Sequence, residues 1–403
     1  MDTQRRNLIA VCISTGILRT GFTGFIIVLS VYAAIRGPLF FTSLDVGIIA
    51  LTYYVGELLT APFFGGLSDY LGRKKIMVSG VLFASFSISL FSTTNSVLLL
   101  ALIHLLEGCG AAANIAPSLA MVSEQSRKST RGFSFGAYDL TTFAGFFLGF
   151  LIGGILLDVF KVYEIVENVN FCYFSMALLI LISAVILLIF IKEEETDKKT
   201  VDITHLFDGI INTFKRKEIR DALPLWLAIT TLLGVVLTFG PYILARSGKF
   251  SGLEIGVALS VPVMAFLLMF PIWGYLSDRF GRFKILAIGV IALAGLVLTL
   301  IFAVLQGIAV SDIRVLMIVG IFALFVSAIT PTILALVGDL TTEQHGSTFG
   351  IYSLALGLGQ ILGSFFGGIT LHNYGEIGLL MFCGIVVFIG IIFLTRFSAE
   401  KES

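Results

Sequence analysis

The chain has 403 residues, of which 57% are hydrophobic and only 13% are charged. About a quarter of the residues in a soluble domain are charged, so this chain has too little polar surface for a water-soluble globule. The composition excludes a soluble enzyme, a nucleic-acid binder, a disordered protein and a disulfide scaffold. The 26 basic and 26 acidic residues cancel, which gives no sign of a polyanionic partner. We expect an integral membrane protein.

Long apolar segments follow one another along the whole chain. A helix that crosses a membrane needs about 20 mainly apolar residues, and a window of that length predicts twelve spans. They cover approximately residues 8–34, 45–66, 76–94, 97–122, 133–159, 171–191, 222–245, 254–276, 285–306, 313–337, 347–371 and 377–396. The predicted fold class is therefore an all-α membrane protein with twelve transmembrane helices.

The placement of Lys and Arg residues predicts the orientation of these spans. With both termini in the cytoplasm, the inner segments carry 20 basic residues and the outer loops carry four, while Arg19 and Arg314 fall within spans. This bias follows the positive-inside rule. The N-terminal tail MDTQRRN has no small-residue cleavage pattern, and we expect it to be retained in the cytoplasm.

One long polar stretch, Lys192–Asp221, lies at the centre of the chain. It opens with the charged run KEEETDKK, which is typical of a solvated linker. Residues 203–214 have apolar side chains at helical spacing and predict a connector helix on the inner membrane face. The predicted domains are an N-terminal six-helix bundle (1–191), a cytoplasmic linker with an amphipathic helix (192–221) and a C-terminal six-helix bundle (222–403).

The two halves of the chain share an internal repeat. The segment Gly65–Lys75 (GGLSDYLGRKK), between spans 2 and 3, returns as Gly274–Lys284 (GYLSDRFGRFK), between spans 8 and 9. The same offset of 209 residues pairs Pro62 with Pro271. Duplication of one six-helix unit explains the repeat, and it predicts two pseudo-symmetric six-helix bundles.

The doubled loop motif resembles the signature of the major facilitator superfamily of secondary transporters. That signature has the form G-x-L-a-D-r-x-G-r-k between helices 2 and 3, and both copies here match it. The resemblance covers essentially the whole chain. It implies two bundles that rock about a midplane cavity lined by helices 1, 4, 7 and 10.

The chemistry of the two loops predicts a cytoplasmic latch. Carboxylates at helix ends can face the positive N-terminus of another helix, glycines permit the tight turn, and arginines can pair with nearby acids. We expect these contacts to close the inner side and to break in the inward-facing state; the alternative is that the loops only set topology. The predicted latch residues are Gly65, Asp69, Gly72, Arg73, Glu124, Gly274, Asp278, Gly281, Arg282 and Asp339.

Glycines recur in spans 5 and 11 at a spacing that lets helix backbones approach closely. Span 5 resembles the antiporter motif of the drug-exporting branch of the family, G(x)8G(x)3GP(x)2GG, except that Phe150 replaces the proline. The resemblance implies export, with the glycines at the interface between the halves; generic helix packing is the alternative. The predicted helix-packing glycines are Gly145, Gly149, Gly153, Gly359, Gly363 and Gly367.

Five ionisable residues inside the spans are functional hypotheses, because such groups are rare in membrane helices. At about 1.5 Å of rise per residue, Arg19, Glu57 and Glu107 lie at nearly one depth, with His104 slightly outward and Asp139 slightly inward. An arginine among three acids has to be partly neutralised. We expect at least one carboxyl group to bind and release a proton, and the alternative is a fixed ion pair that only joins helices.

Neutral polar residues in the spans are expected to line the cavity, and among them are Asn114, Tyr242 and Gln360. The sequence shows no nucleophile–base pattern, phosphate-binding loop or metal-ligand spacing, so no enzyme activity, cofactor or metal is expected. The first hypothesis is proton-coupled export of small amphipathic compounds by a monomer in the plasma membrane of a prokaryote. Its partners would be the substrate, protons and the lipid bilayer. The alternatives are uptake of an anionic or sugar-like metabolite, with Arg19 binding an anion, and a non-transporting membrane sensor.

Overall fold

A computed structural model describes residues 3–37, 41–126, 131–192, 217–308, 312–333 and 345–402 of the chain. The regular structure in these ranges is helical, which confirms the predicted all-α class. The first six long helices are α1 (Thr3–Arg36), α2 (Ser43–Leu71), α3 (Arg73–Leu90), α4 (Val97–Gln125), α5 (Arg131–Val159) and α6 (Val169–Phe190). The remaining ones are α7 (Lys217–Arg246), α8 (Gly252–Phe280), α9 (Arg282–Leu305), α10 (Ile313–Val326) and α11 (His345–Glu402).

Eleven helices within the described ranges are long and apolar enough to cross a membrane. The last of them, α11, contains the non-helical residue Gly375 with φ of 65° and ψ of −160°, which separates two helical segments. These segments, 345–374 and 376–402, correspond to the predicted spans 11 and 12. Helix ends agree with the predicted spans to within a few residues along most of the chain, because apolar length alone decides where a membrane helix can begin and end.

The chain divides into two compact units. One consists of Met1–Phe207 with Gly240–Ser260, and the other consists of Asp208–Phe239 with Val261–Ser403. The first unit thus takes in the hairpin between α7 and α8. The predicted connector helix at 203–214 and the latch residue Asp339 lie outside the described residues, and the predicted domain boundaries remain a prediction.

Three glycines of α5 bring its backbone against α1. A Cβ atom added to Gly145 would lie 2.6 Å from the Arg19 Cβ, and one added to Gly149 would lie 2.7 Å from the Thr20 carbonyl oxygen. A Cβ at Gly153 would lie 2.2 Å from Ile27. The prediction that these glycines line the interface between the halves is therefore wrong, since all three face a helix of their own bundle.

The second unit repeats this packing with α7 and α11. Added Cβ atoms at Gly359 and Gly363 would lie 1.8 Å from the Thr230 hydroxyl and 2.1 Å from the Thr231 carbonyl oxygen. One at Gly367 would lie 2.7 Å from the Phe239 ring. Membrane helices associate through such close backbone contacts, because lipid gives little hydrophobic drive for helix pairing. The glycine repeat thus records a conserved pairing of the first and fifth helix in each half.

We predict that Gly149→Ala lowers the stability of the protein, because the new methyl group collides with α1. Overpacking of this kind costs about 1–3 kcal/mol, and it can be measured as a lower midpoint of thermal unfolding in detergent. The matched control on the same helix is Gly136→Ala, since nothing lies within 4 Å of an added Cβ there. Equal unfolding midpoints for the two variants would contradict this packing.

Candidate functional site

A central charged cluster consists of Arg19 on α1, Glu57 on α2 and Asp139 on α5. Arg19 interacts electrostatically with both carboxylates, and all three side chains are half-buried. The buried phenols of Tyr53 and Tyr138 also lie in the electrostatic field of Arg19. Close packing of α5 on α1 places Gly145 against the Arg19 Cβ, and Asp139 lies six residues earlier on the same helix.

The cluster differs from a fixed ion pair. In the described part of the chain, no ion pair or hydrogen bond joins Arg19 to a carboxylate, and its Nε atom is buried without a hydrogen-bond partner. The guanidinium carbon lies 5.9 Å from the centre of the Phe146 ring, near the outer limit of a cation–π contact. Arg19 therefore interacts with its two acids through space, without a direct ion pair in the described part of the chain.

The other two predicted residues form a separate pair on α4. Nε2 of His104 lies 3.5 Å from Oε2 of Glu107, and the two side chains are 3% and 1% exposed. The predicted grouping of Glu107 with Arg19 is corrected here, because positions i and i+3 share one helix face and place Glu107 beside His104. This face packs on α2, where a Cβ at Gly108 would lie 2.1 Å from the Tyr53 carbonyl oxygen.

Tyr53 lies between the cluster and the pair. It interacts electrostatically with Glu57, Arg19 and Glu107, and its ring centre is 5.2 Å from that of His104. Sequence reasoning did not identify this residue, because a tyrosine in an apolar span has no distinguishing pattern. Its position between two acidic groups is visible only once α2 and α4 are packed.

The first loop motif forms an ion-pair network around Arg73. The guanidinium donates two hydrogen bonds to Glu124 on α4, with Nε–Oε2 of 2.8 Å and Nη2–Oε1 of 2.5 Å. It also lies 2.7 Å from Asp69 Oδ1 and donates to Ser68 at 3.1 Å. All these residues belong to the first unit, so the network fixes the loop between α2 and α3 to the end of α4.

The second copy repeats part of this arrangement. Arg282 is paired with Asp278 and donates to the Ser277 hydroxyl at 2.8 Å. Gly72 and Gly281 have φ values of 101° and 97° with the same ψ of 137°, a conformation that favours glycine.

Gly65 and Gly274, the first glycines of the two motifs, are not constrained in the same way as Gly72 and Gly281. An added Cβ at Gly65 would make only ordinary contact with Ala116, and one at Gly274 would meet nothing within 4 Å. Within the described ranges, these two residues therefore make no close backbone contact of the kind seen at Gly145.

Several polar contacts were missed by sequence reasoning, and the clearest involves Asp158. Its two carboxylate oxygens accept hydrogen bonds from the first amides of α8, Gly252 N at 2.7 Å and Leu253 N at 2.8 Å. Close packing supports this cap, since a Cβ at Gly154 would lie 2.3 Å from the Gly252 carbonyl oxygen. Sequence reasoning could not find this cap, because the position of a distant helix N-terminus cannot be read from local spacing.

Lys74 and Asn7 provide further unexpected contacts at the end of α6. The Lys74 ammonium donates to the carbonyls of Leu188 at 2.7 Å and Ile191 at 2.9 Å. The amide side chain of Asn7 exchanges two hydrogen bonds with the Lys192 backbone, at 2.8 and 3.0 Å. Both residues thus hold the end of α6 where the central polar stretch begins.

The polar residues predicted for the cavity are buried. Asn114 is 1% exposed and accepts a 3.5 Å hydrogen bond from Ser118, while its Nδ2 has no partner within the described ranges. Tyr242 is 2% exposed and Gln360 is 7% exposed, and the Gln360 backbone packs on Gly234. A role for them in binding remains a prediction.

Arg314 lies at the start of α10, where it is 77% exposed and pairs with Asp312 at 2.9 Å. The hydrogen bond from this guanidinium lowers the pKa of Asp312 to about 2. The pair therefore stays charged at neutral pH, as expected for residues at a membrane surface.

Comparisons with known proteins agree with this architecture. The family model described as Major Facilitator Superfamily matches residues 11–245 and 225–403. Multidrug resistance protein MdtG of Escherichia coli (strain K12 / DH10B) is 25% identical over 404 residues, covering 95% of this chain and 92% of the relative. MdtG of Escherichia fergusonii is also 25% identical, covering 96% and 93%. The crystal structure of the nucleoside transporter NupG aligns over 100% of both chains with a TM-score of 0.74 and 13% identity.

We predict that Arg73→Lys lowers the unfolding free energy by about 1 kcal/mol, because an ammonium cannot replace the planar fork that holds Glu124. The measure is the thermal unfolding midpoint of the purified protein. Lys75→Arg, at the exposed neighbouring position, is the control and should leave the midpoint unchanged. If Arg73→Lys unfolds at the same midpoint as the control, the two hydrogen bonds from Arg73 to Glu124 contribute nothing to stability.

A second prediction concerns the cap of α8. Asp158→Ala removes the acceptor of two helix amides, and the loss of such a cap costs about 0.5–2 kcal/mol. Hydrogen exchange at Gly252 and Leu253 should accelerate, while Glu164→Ala in the neighbouring loop leaves it unchanged. Unaltered protection in Asp158→Ala would rule out the cap.

Proposed function

The chain belongs to the Major Facilitator Superfamily and is a transport protein, and we propose that it exports small amphipathic compounds in exchange for protons. The similarity to MdtG over nearly the whole chain supports multidrug efflux as the class of transport. The likeness to NupG supports the fold alone at 13% identity. We further propose that the protein is a monomer in the plasma membrane of a prokaryote, with both termini in the cytoplasm.

The observation that carries the proposal is the charge balance of the central cluster. One guanidinium faces two carboxylates from different helices, so the fully ionised group has a net charge of −1. Burying an unbalanced charge among apolar helices is costly, and a proton or a cationic cargo removes it. Because Arg19 makes no direct ion pair with either acid, binding a proton or a cargo does not first require a salt bridge to be broken.

Exchange follows from this balance. A carboxyl group that holds a proton when the site faces outside releases it inside, and an arriving cation can replace it without changing the net charge. Alternating access of the two halves supplies the change of side. The proposed latch at Arg73 and Arg282 acts at the inner end, and its second partner, Asp339, lies outside the described residues.

Uptake of an anionic metabolite is the second candidate, and the unpartnered Nε of Arg19 is the observation in its favour. An anion at this position would meet Glu57 and Asp139 as well as the guanidinium. A bound anion would change the net charge of the ionised cluster from −1 to −2, whereas a cation or a proton would neutralise it. The cluster therefore favours a cation or a proton.

We predict that Glu57→Gln and Asp139→Asn each reduce proton-driven export by roughly tenfold or more, which corresponds to about 1.4 kcal/mol in the transport barrier. The assay is efflux of ethidium, an amphipathic cation, from proteoliposomes with an imposed pH gradient. Glu164→Gln, at the exposed loop after α5, is the control.

Two results would contradict parts of the proposed proton-driven export. Export at the control rate in both cluster variants would remove the coupling role. Gradient-driven accumulation of organic anions, abolished in Arg19→Ala, would establish the uptake function instead.

A further inference from the structure

The hydrogen bond of His104 to the backbone fixes which ring nitrogen carries a proton. Nδ1 lies 2.7 Å from the carbonyl oxygen of Ile49 on α2. A carbonyl oxygen can only accept, so Nδ1 must donate, and the proton of the neutral ring is on that atom. The other ring nitrogen, Nε2, then presents its lone pair to Glu107 unless the ring is a cation.

Nε2 and the facing Glu107 Oε2 are both unsatisfied. They lie 3.5 Å apart, and neither atom has a hydrogen-bond partner in the described ranges. With no proton between them, a lone pair faces a carboxylate and a negative charge is buried alone. With two protons, a buried cation has no counter-ion. One shared proton gives a neutral pair, either imidazole with carboxylic acid or imidazolium with carboxylate, and both avoid an uncompensated buried charge.

The surroundings isolate this pair from water. The rings of Phe25, Tyr53 and Phe91 have centres 5.6, 5.2 and 5.8 Å from that of His104. The packed helices α1 and α2 also carry Arg19 and Glu57, which form no ion pair with His104 or Glu107 in the described part of the chain. The titratable groups among the surrounding rings are two phenols, Tyr53 and Tyr173 on α6, which contacts Phe25 and Phe91. Phenols are uncharged at neutral pH, so neither can neutralise Glu107.

We propose that His104 and Glu107 form a second proton-binding site, separate from the central charged cluster, which holds one proton between Nε2 and Oε2. Release of that proton to water leaves neutral imidazole beside a carboxylate, and uptake restores the neutral pair. Tyr53 lies between this site and Glu57, so a change of charge here alters the field at the cluster. A part in transport rests on the proposed proton exchange, but the existence of the site does not.

The site can be tested on the full chain in lipid nanodiscs without any transported compound. The chain has four histidines, and nitrogen-15 labelling with His104→Asn as the assignment variant identifies the signals of His104. We expect Nδ1 to be protonated throughout. As the pH rises, one proton should leave in a single step. The Nε2 signal of His104 and an infrared carboxyl band should change at the same pH. The band is assigned to Glu107 by its absence from Glu107→Gln.

Two variants separate this site from the cluster. Glu57→Gln should keep the step, while Glu107→Gln should abolish it and leave His104 neutral. If Glu107→Gln does not fold, His104→Asn keeps a donor towards Ile49, and the carboxyl band of Glu107 should then shift in its pH dependence. Two results would overturn the proposal. One is a neutral His104 ring that carries its proton on Nε2 and none on Nδ1. The other is a titration step that is lost in Glu57→Gln but kept in Glu107→Gln.

A transport measurement then separates the two proposals. The ratio of protons to ethidium, taken from the pH gradient that stops net flux, should fall in Glu107→Gln if this proton is carried. If the ratio is unchanged and the wild type shows the titration step, the site binds a proton that is not transported. This result overturns only the proposed role of the site in transport. Absence of any proton coupling overturns the proposed exchange and leaves the titration result standing.

Discussion

A guanidinium inside an apolar helix bundle has to be balanced by nearby negative charge, and Arg19 sets this requirement for the first half of the protein. Its two acids come from α2 and α5, so three helices must approach one point. Close approach needs small residues, and Gly145 supplies one beside the Arg19 Cβ. The electrostatic requirement and the glycine spacing are thus parts of one arrangement, since the charges can compensate each other only where the backbones come within contact distance.

The second half keeps the packing without the charges. Gly359 and Gly363 place α11 on α7 as Gly145 and Gly149 place α5 on α1. The offset of 209 residues matches Glu57 with Phe266, and the offset of 214 residues that pairs Gly145 with Gly359 matches His104 with Ile318. Duplication therefore preserved the contacts that hold helices together, while Glu57 and His104 have apolar counterparts in the second copy. One charged half is enough for the proton exchange that we propose, because alternating access requires only that one binding region change the side to which it opens.

The sequence predicts position along a membrane helix much better than direction around it. Apolar length predicts the helix ends to within a few residues, whereas the common depth of Arg19, Glu57 and Glu107 stays a prediction. Rotation about the helix axis is decided by packing, which turned the His104 face of α4 towards α2 and the glycines of α5 towards α1. The cap of α8 by Asp158 has the same cause, since residues 94 positions apart meet only after the helices have packed.

The pairing of α2 with α4 limits how the two acidic sites can act on each other. A Cβ at Gly56 would lie 2.3 Å from the Leu105 carbonyl oxygen, and Gly108 makes the same kind of contact with Tyr53. Because α2 and α4 are in backbone contact at these two glycines, we expect rocking of the bundle to leave the spacing between Glu57 and Glu107 unchanged. Their mutual influence, transmitted past Tyr53, is then constant through the transport cycle. In the exchange that we propose, access to water is what changes between states, and hydration of the bundle would then control proton release.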